Sequence, residues 1–260
     1  LLQQVADFGF DVVRTDVPPD GDLDGYVSDY EGAAVIPLFL LHDMARNQPL
    51  LDAALPRLGQ RFLVQVFNEP PGMDHVDLAG YIDGIQRVHA DCRARGFTGQ
   101  ILMGGLGNPS RDNRLWLETA LRQMPPDLMV DEHRYAYKTQ DDWARPWPPF
   151  DSRWREAVSL KTLAGSRDVA VTETGWHTAE EHSGIPPFGH TFRLTDEECR
   201  DNFVRDLDLY ERAGYALACW FQINDGPNDT WGERQGIRRV DGTWKPQADA
   251  VKFWRDAGGH

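Results

Sequence analysis

Two glutamates stand where buried strands should end. Val66-Phe67-Asn68-Glu69-Pro70 and Val171-Thr172-Glu173-Thr174-Gly175-Trp176 are each an apolar, β-branched run that stops at a carboxylate and then turns. A carboxylate at the rim of each of two buried strands is the minimum equipment for hydrolysing a glycosidic bond. One carboxyl protonates the leaving oxygen, and the other attacks the sugar or activates water. The bland alternative is that both carboxylates merely pair with arginines in a structural role. The elements around them, and what else those elements carry to the same rim, decide between the two.

Strand-like and helix-like segments alternate along the chain. Leu1 to Phe8 reads as the tail of an amphipathic helix, and Asp11 to Thr15 as a strand. Ala33 to Leu41 and Arg61 to Phe67 are further strands, followed by a long helix from Leu78 to Arg95 that Gly96 ends. Strand Gln100 to Met103, helix Asp112 to Gln123 and strand Leu128 to Tyr135 follow. Helix Ser152 to Leu163 then leads to strand Asp168 to Thr172, and helix Asp196 to Ala213, with Thr195 as its N-cap, to strand Ala216 to Gln222. A last helix runs from about Pro246 to Ala257.

Apolar strands alternating with helices indicate a parallel sheet covered by helices. The rim positions of the successive strands are Arg14, His42, Glu69, Gly104, Tyr135, Glu173 and Trp220, spaced at about one strand-loop-helix unit each. Polar residues at the C-terminal ends of seven such strands predict a (β/α)8 TIM barrel, with residues 1–260 forming a single catalytic barrel domain. The chain opens inside what should be the first helix, so the first barrel strand is expected upstream of Leu1 or absent. An open doubly wound sheet would carry a nucleotide fingerprint. The turn Met103-Gly104-Gly105-Leu106-Gly107 lacks that spacing. Alternation along strands places Gln65, Phe67 and Glu69 on one face, Val169, Val171 and Glu173 on another, and His133 with Tyr135 on a third.

Composition narrows the partners. A net charge of −14 disfavours nucleic acid, anionic lipid and acidic polysaccharide, all of which need Lys/Arg clusters, and suits a neutral substrate. Nine tryptophans are more than a core of this size needs, so some are expected as flat plates for sugar rings. Trp143, Trp147, Trp176 and Trp231 fall on loops after strands, whereas Trp116 and Trp154 fall in helices and read as packing residues. Cys92, Cys199 and Cys219 form neither a CxxC pair nor a zinc spacing and read as buried free thiols. No membrane span or signal peptide is visible, and a start without Met suggests a trimmed N-terminus, so a secreted or periplasmic location is compatible with the sequence without being encoded in it.

With these residues in order, the chain resembles glycoside hydrolase clan A, the retaining (β/α)8 glycosidases, most closely family 5, with family 39 a near neighbour. The resemblance spans nearly the whole chain but rests on short motifs: Arg14 in VVRTD, His42 in LLHD, the Asn68-Glu69 pair, His133-Arg134-Tyr135, Glu173 and Trp220. It implies Glu69 as acid/base and Glu173 as nucleophile of a double displacement. Arg14 and Tyr135 would orient Glu173, and Asn68 would donate to the sugar 2-hydroxyl. Trp220 would lie under the ring, and His42 and His133 would complete the polar shell. No cofactor is required, and a monomer is expected. The implied activity is hydrolysis of β-linked neutral polysaccharide or oligosaccharide, with an endo-β-glucanase or β-mannanase in first place. The alternative is a carbohydrate-binding barrel without turnover.

One motif lies outside this scheme. Asp20, Asp22, Asp24 and Glu31 fit the D-x-D-x-D-G-x5-E calcium-loop pattern. Pro18-Pro19 stands where the entering helix of such a loop belongs, however, and the plainer reading is an acidic turn in which Asp24 caps a short second helix.

Overall fold

The computed structural model describes residues 1–70, 72–107, 111–135, 150–176, 178, 181–183, 190–192, 194–227 and 234–259. Trp143, Trp147 and Trp231 lie outside the described residues. The chain packs as two compact units, Leu1–His133 with Thr162–Thr172, and Arg134–Lys161 with Glu173–His260.

The first unit begins with a short helix α1 (Leu2–Asp7), strand β1 (Val12–Asp16), helix α2 (Leu23–Ser28) and strand β2 (Ile36–Leu41). Helix α3 (Asn47–Leu58), strand β3 (Leu63–Val66), helix α4 (Leu78–Ala94), strand β4 (Ile101–Met103) and helix α5 (Arg111–Leu121) follow. β1 to β4 form a four-stranded sheet in sequence order. All three of its ladders are parallel, with Val12 opposite Ile36, Leu38 opposite Leu63 and Val64 opposite Ile101. Isolated parallel bridges from Leu102 to Met129 and from Leu106 to Glu132 carry the order on to the next strand. β2 is buried from Pro37 to Leu41, as a strand covered on both faces must be. Phe39, Phe62 and Phe97 continue that core as a chain of ring contacts, the last pair stacked at 4.4 Å.

Strand β5 (Val130–Tyr135), helix α6 (Phe150–Ala164) and strand β6 (Val169–Gly175) each contain the boundary between the units. The second unit adds a hairpin of β7 (Glu181–Ser183) and β8 (His190–Phe192), helix α7 (Asp196–Ala213), strand β9 (Leu217–Trp220) and helix α8 (Ala250–Asp256). β5, β6 and β9 form a sheet in that order. Thr195 caps α7 through a complete capping box with Glu198, and Gly214 ends the helix in the left-handed conformation.

Most elements coincide with those read from sequence, with four main differences, the first being that β6 runs on to Gly175, past the expected end at Thr172. Helix α3 is absent from the sequence pattern, because Pro49 and Pro56 break it. The hairpin β7–β8 sits inside what reads as the long loop Thr178 to Leu194. Strand β3 stops at Val66, short of the expected Phe67. Cys92, Cys199 and Cys219 are free and buried. Burial pushes the Cys92 thiol up to about 12, so it is inert as a nucleophile.

Candidate active site

Phe67 and Glu69 both have left-handed backbone, with φ of 69° and 48°. This overturns the expected alternation of Gln65, Phe67 and Glu69: the chain leaves the strand after Val66, and Glu69 is presented by a strained turn. The Phe67 ring packs toward α4, 5.8 Å from Tyr81, and a Cβ at Gly84 would meet it at 2.7 Å. Such strain in non-glycine residues persists only where surrounding contacts over-determine it, and it clusters at functional sites.

Those contacts can be named. The Glu69 N–H donates to the Gly105 carbonyl at 3.1 Å, and the Glu69 carbonyl accepts from Gly72 and Met73. The Asn68 N–H donates to Asp74 Oδ2 at 2.5 Å. The other Asp74 oxygen lies 3.0 Å from His42 Nδ1, and His42 Nε2 lies 3.4 Å from Asp16. His42 therefore reaches the site through Asp74 and the backbone of Asn68. Arg14 donates to Gln65 Oε1 at 2.6 Å and to Asn68 Oδ1 at 2.7 Å. That second bond fixes the Asn68 amide with its oxygen toward Arg14 and its NH2 group on the other side.

The Glu69 side chain meets His133, whose Nδ1 lies 2.8 Å from Glu69 Oε1 and whose ring is fully buried. The wall behind them is the glycine turn after β4. A Cβ at Gly107 would overlap the Glu69 carboxyl group, and one at Gly105 would meet the His133 ring at 2.5 Å. A Cβ at Gly104 would meet the carbonyls of Val66 and Phe67 at 2.5 Å. The turn is thus a mould for the Glu69–His133 pair. Tyr81 hangs its hydroxyl on the Gly104 carbonyl at 3.2 Å, and Trp116 packs on Tyr81 at 4.3 Å, the packing role expected of it.

In the second unit Glu173 lies within β6 itself and is 7% exposed. The Tyr135 hydroxyl donates to its Oε2 at 2.5 Å. Next to it, the Phe221 N–H donates to the Thr174 carbonyl at 2.7 Å, and the Tyr135 and Phe221 rings meet edge to face at 6.0 Å. Trp220 is half-buried: its indole N–H donates to the Gln235 carbonyl at 2.6 Å and its ring packs on Phe203 at 4.3 Å.

Trp176 corrects the sequence reading. Expected as a sugar-facing plate, it is 5% exposed and packs with Leu194 and Cys199. Its indole N–H donates to Asp206 Oδ2 at 2.9 Å, which ties β6 to α7 and turns the ring inward. The acidic loop does not have the form of a helix-flanked calcium loop either. Asp22, and not the expected Asp24, caps α2, accepting from the Asp24 N–H, so the helix begins inside the motif. Arg57 bridges Asp24 and Glu31, each at 3.4 Å.

Four residues of the site lie outside the sequence reading: Gln65 as a partner of Arg14, Asp74, Gly107 and Asp131. Asp131 has a readable signal, since it precedes His133 and Tyr135 at two-residue spacing on β5. Its carboxyl accepts from the Thr172 N–H at 3.1 Å and the Thr172 hydroxyl at 2.7 Å. Burial pushes it up to about 7, against the opposing pull of His133 and the Thr172 bonds.

Comparison with known proteins adds the fold. No protein-family model matches the chain, and no curated protein matches it in sequence. Among solved structures, a family 39 glycoside hydrolase from the gut symbiont Bacteroides cellulosilyticus WH2 aligns with a TM-score of 0.67 at 17% identity. The alignment covers 96% of this chain and 59% of that one, so the chain spans about three-fifths of that protein's length. A family 128 endo-β-1,3-glucanase from Amycolatopsis mediterranei, in complex with laminarihexaose, aligns at 0.63 and 13% identity over 97% and 94% of the two chains. A family 5 broad-specificity endoglucanase from Clostridum cellulovorans aligns at 0.61 and 12% over 97% and 84%. The class of fold is the α/β barrel of the (β/α)8 type, with seven of its strands, β1 to β6 and β9, among the described residues. More particularly, it is the barrel found in glycoside hydrolases of families 39, 128 and 5.

Proposed function

We propose that the chain is a retaining glycoside hydrolase acting on a neutral β-linked glucan, with Glu69 as acid/base and Glu173 as nucleophile. The observation that carries the reading is that each carboxyl group has its own hydrogen-bond partner from β5: His133 on Glu69 and Tyr135 on Glu173. Tyr135 holds one Glu173 oxygen in place for attack on the anomeric carbon. His133 likewise occupies one Glu69 oxygen, and the second is available to the leaving group. The Asn68 amide, held through its oxygen by Arg14, presents N–H to a sugar hydroxyl, a contact that strengthens as positive charge develops on the ring. The acidic chain suits an uncharged polymer. The family 128 and family 5 structures of the same fold come from enzymes of β-glucan hydrolysis, which ranks glucan ahead of mannan.

Double displacement proceeds as follows. Glu69 gives its proton to the glycosidic oxygen while Glu173 attacks the anomeric carbon and forms a glycosyl-enzyme ester. Water, deprotonated by Glu69, then displaces Glu173 and returns the sugar with its original anomeric configuration. Retention requires carboxyl groups roughly 5–5.5 Å apart, whereas inversion requires about 6.5–9.5 Å.

Reducing ends released from β-1,3-glucan, β-1,4-glucan and mannan test the activity, and the NMR signal of the first product anomer tests the mechanism. Glu173→Ala should abolish hydrolysis, and azide should restore turnover of a dinitrophenyl glycoside as a glycosyl azide. A chain that binds glucans on an affinity gel but releases no sugar from any of them would be a binding module instead.

A further inference from the structure

The polar stripe on β5 contains one member that no step above uses. Asp131 is 1% exposed, and a carboxylate that deep is costly unless matched by donors. Thr172 supplies two, its N–H to Oδ1 and its hydroxyl to Oδ2. The carboxyl also looks onto His133. A Cβ on Gly105 would meet His133 Nε2 at 2.7 Å and Asp131 Oδ2 at 2.9 Å, so ring and carboxyl approach one point. Only glycine leaves them open to each other there. Arg14 from β1 and Tyr81 from α4 are the other charged or titratable groups that act on Asp131, and Glu69 lies beyond the ring at Nδ1.

We propose that Asp131 is a positioning residue for the acid/base, acting on Glu69 through the imidazole of His133. This rests on the reading of Glu69 as acid/base. The ring is bonded to Glu69 at its Nδ1 edge, and the Asp131 carboxyl lies on the side of its Nε2 edge. Asp131 acts on the ring across that edge, and the ring restrains Glu69 Oε1.

Asp131→Asn is the test, because the amide keeps the shape and can still accept from the Thr172 N–H and donate to its hydroxyl. Two substrates separate positioning from structure: a β-glucan, whose leaving group needs a proton, and 2,4-dinitrophenyl β-laminaribioside, whose leaving group does not. The variant should lose about 10–100-fold in kcat/KM on glucan and less than about threefold on the dinitrophenyl substrate. Equal losses on both would overturn the proposal. Thr172→Val, which removes the hydroxyl that holds Asp131 but keeps its charge, should show the same discrimination at smaller size, and it serves if Asp131→Asn does not fold. A readout independent of activity is the 15N spectrum of histidine-labelled protein. In Asp131→Asn the His133 ring nitrogens should shift while those of His42 and His89 stay in place, and an unmoved His133 would sink the idea. If the wild type releases no sugar, the glycosidase reading fails, and the His133 spectrum alone still decides whether Asp131 governs the ring.

Discussion

Tyr135 donates to Glu173 at 2.5 Å, a length at which an O–H to carboxylate bond is charge-assisted. A hydrogen bond to a charged group is worth about 1.5–3 kcal/mol, so Tyr135→Phe should lower kcat/KM by roughly 10–100-fold. Under the proposed mechanism Glu173 attacks every substrate, and the loss should therefore be the same for glucan and for dinitrophenyl glycosides. A variant that discriminates between them would show Tyr135 serving Glu69 instead. The His133 and Tyr135 side chains were legible because a strand alternates, so two polar side chains spaced by two must leave a buried strand on the same face. Trp176 was not legible. Whether a tryptophan after a strand faces solvent or folds inward depends on a partner 30 residues away, Asp206, that local sequence does not reveal. Arg14 was legible as a rim residue. Its bonds to Gln65 and Asn68 were not, because they depend on how β1 and β3 align.

At the level of elements, the turn between β4 and α5 works as a mould, and its glycines differ in what they touch. The nearest atoms an added Cβ at Gly107 would meet are the far end of the flexible Glu69 side chain, which can rotate away. Gly107→Ala should therefore keep its unfolding free energy within about 0.5 kcal/mol of wild type. Hydrolysis of glucan should nevertheless fall by about tenfold or more, because the carboxyl proposed as acid/base leaves its place. At Gly104 the obstruction is backbone, the carbonyls of Val66 and Phe67, which cannot rotate. Gly104→Ala should cost about 1–3 kcal/mol of stability. Urea unfolding beside glucan assays would show these opposite outcomes, and loss of stability in both would remove the distinction. The order of strands and helices was readable because apolar runs and caps such as Thr195 repeat with the period of a barrel. The early end of β3 was not, because left-handed φ at Phe67 and Glu69 is imposed by packing on Gly84 and by the bond to the Gly105 carbonyl. The sequence pattern carries neither.

For the molecule as a whole, the buried carboxyl of Asp131 makes folding sensitive to pH in a direction that runs against most surface acids. Its folded value, about 7, lies above the ordinary 3.8, so the native state holds this proton where the unfolded chain has lost it. The contribution is fully present below about pH 4, is lost as pH rises through 7, and is absent above about pH 8. A displacement of that size corresponds to stability on the order of 4 kcal/mol between the two limits. The net charge of −14 adds self-repulsion at neutral pH, but it differs by only one unit in Asp131→Asn. The difference between the two proteins therefore isolates the buried group, together with the His133, Arg14 and Tyr81 neighbours that tune it. Urea unfolding at pH 5 and pH 8 should show Asp131→Asn gaining on the wild type by a few kcal/mol as pH rises. A difference that stays constant over that range would mean that Asp131 is ionised throughout. His133 would then face a permanent negative charge and not one that titrates near neutrality.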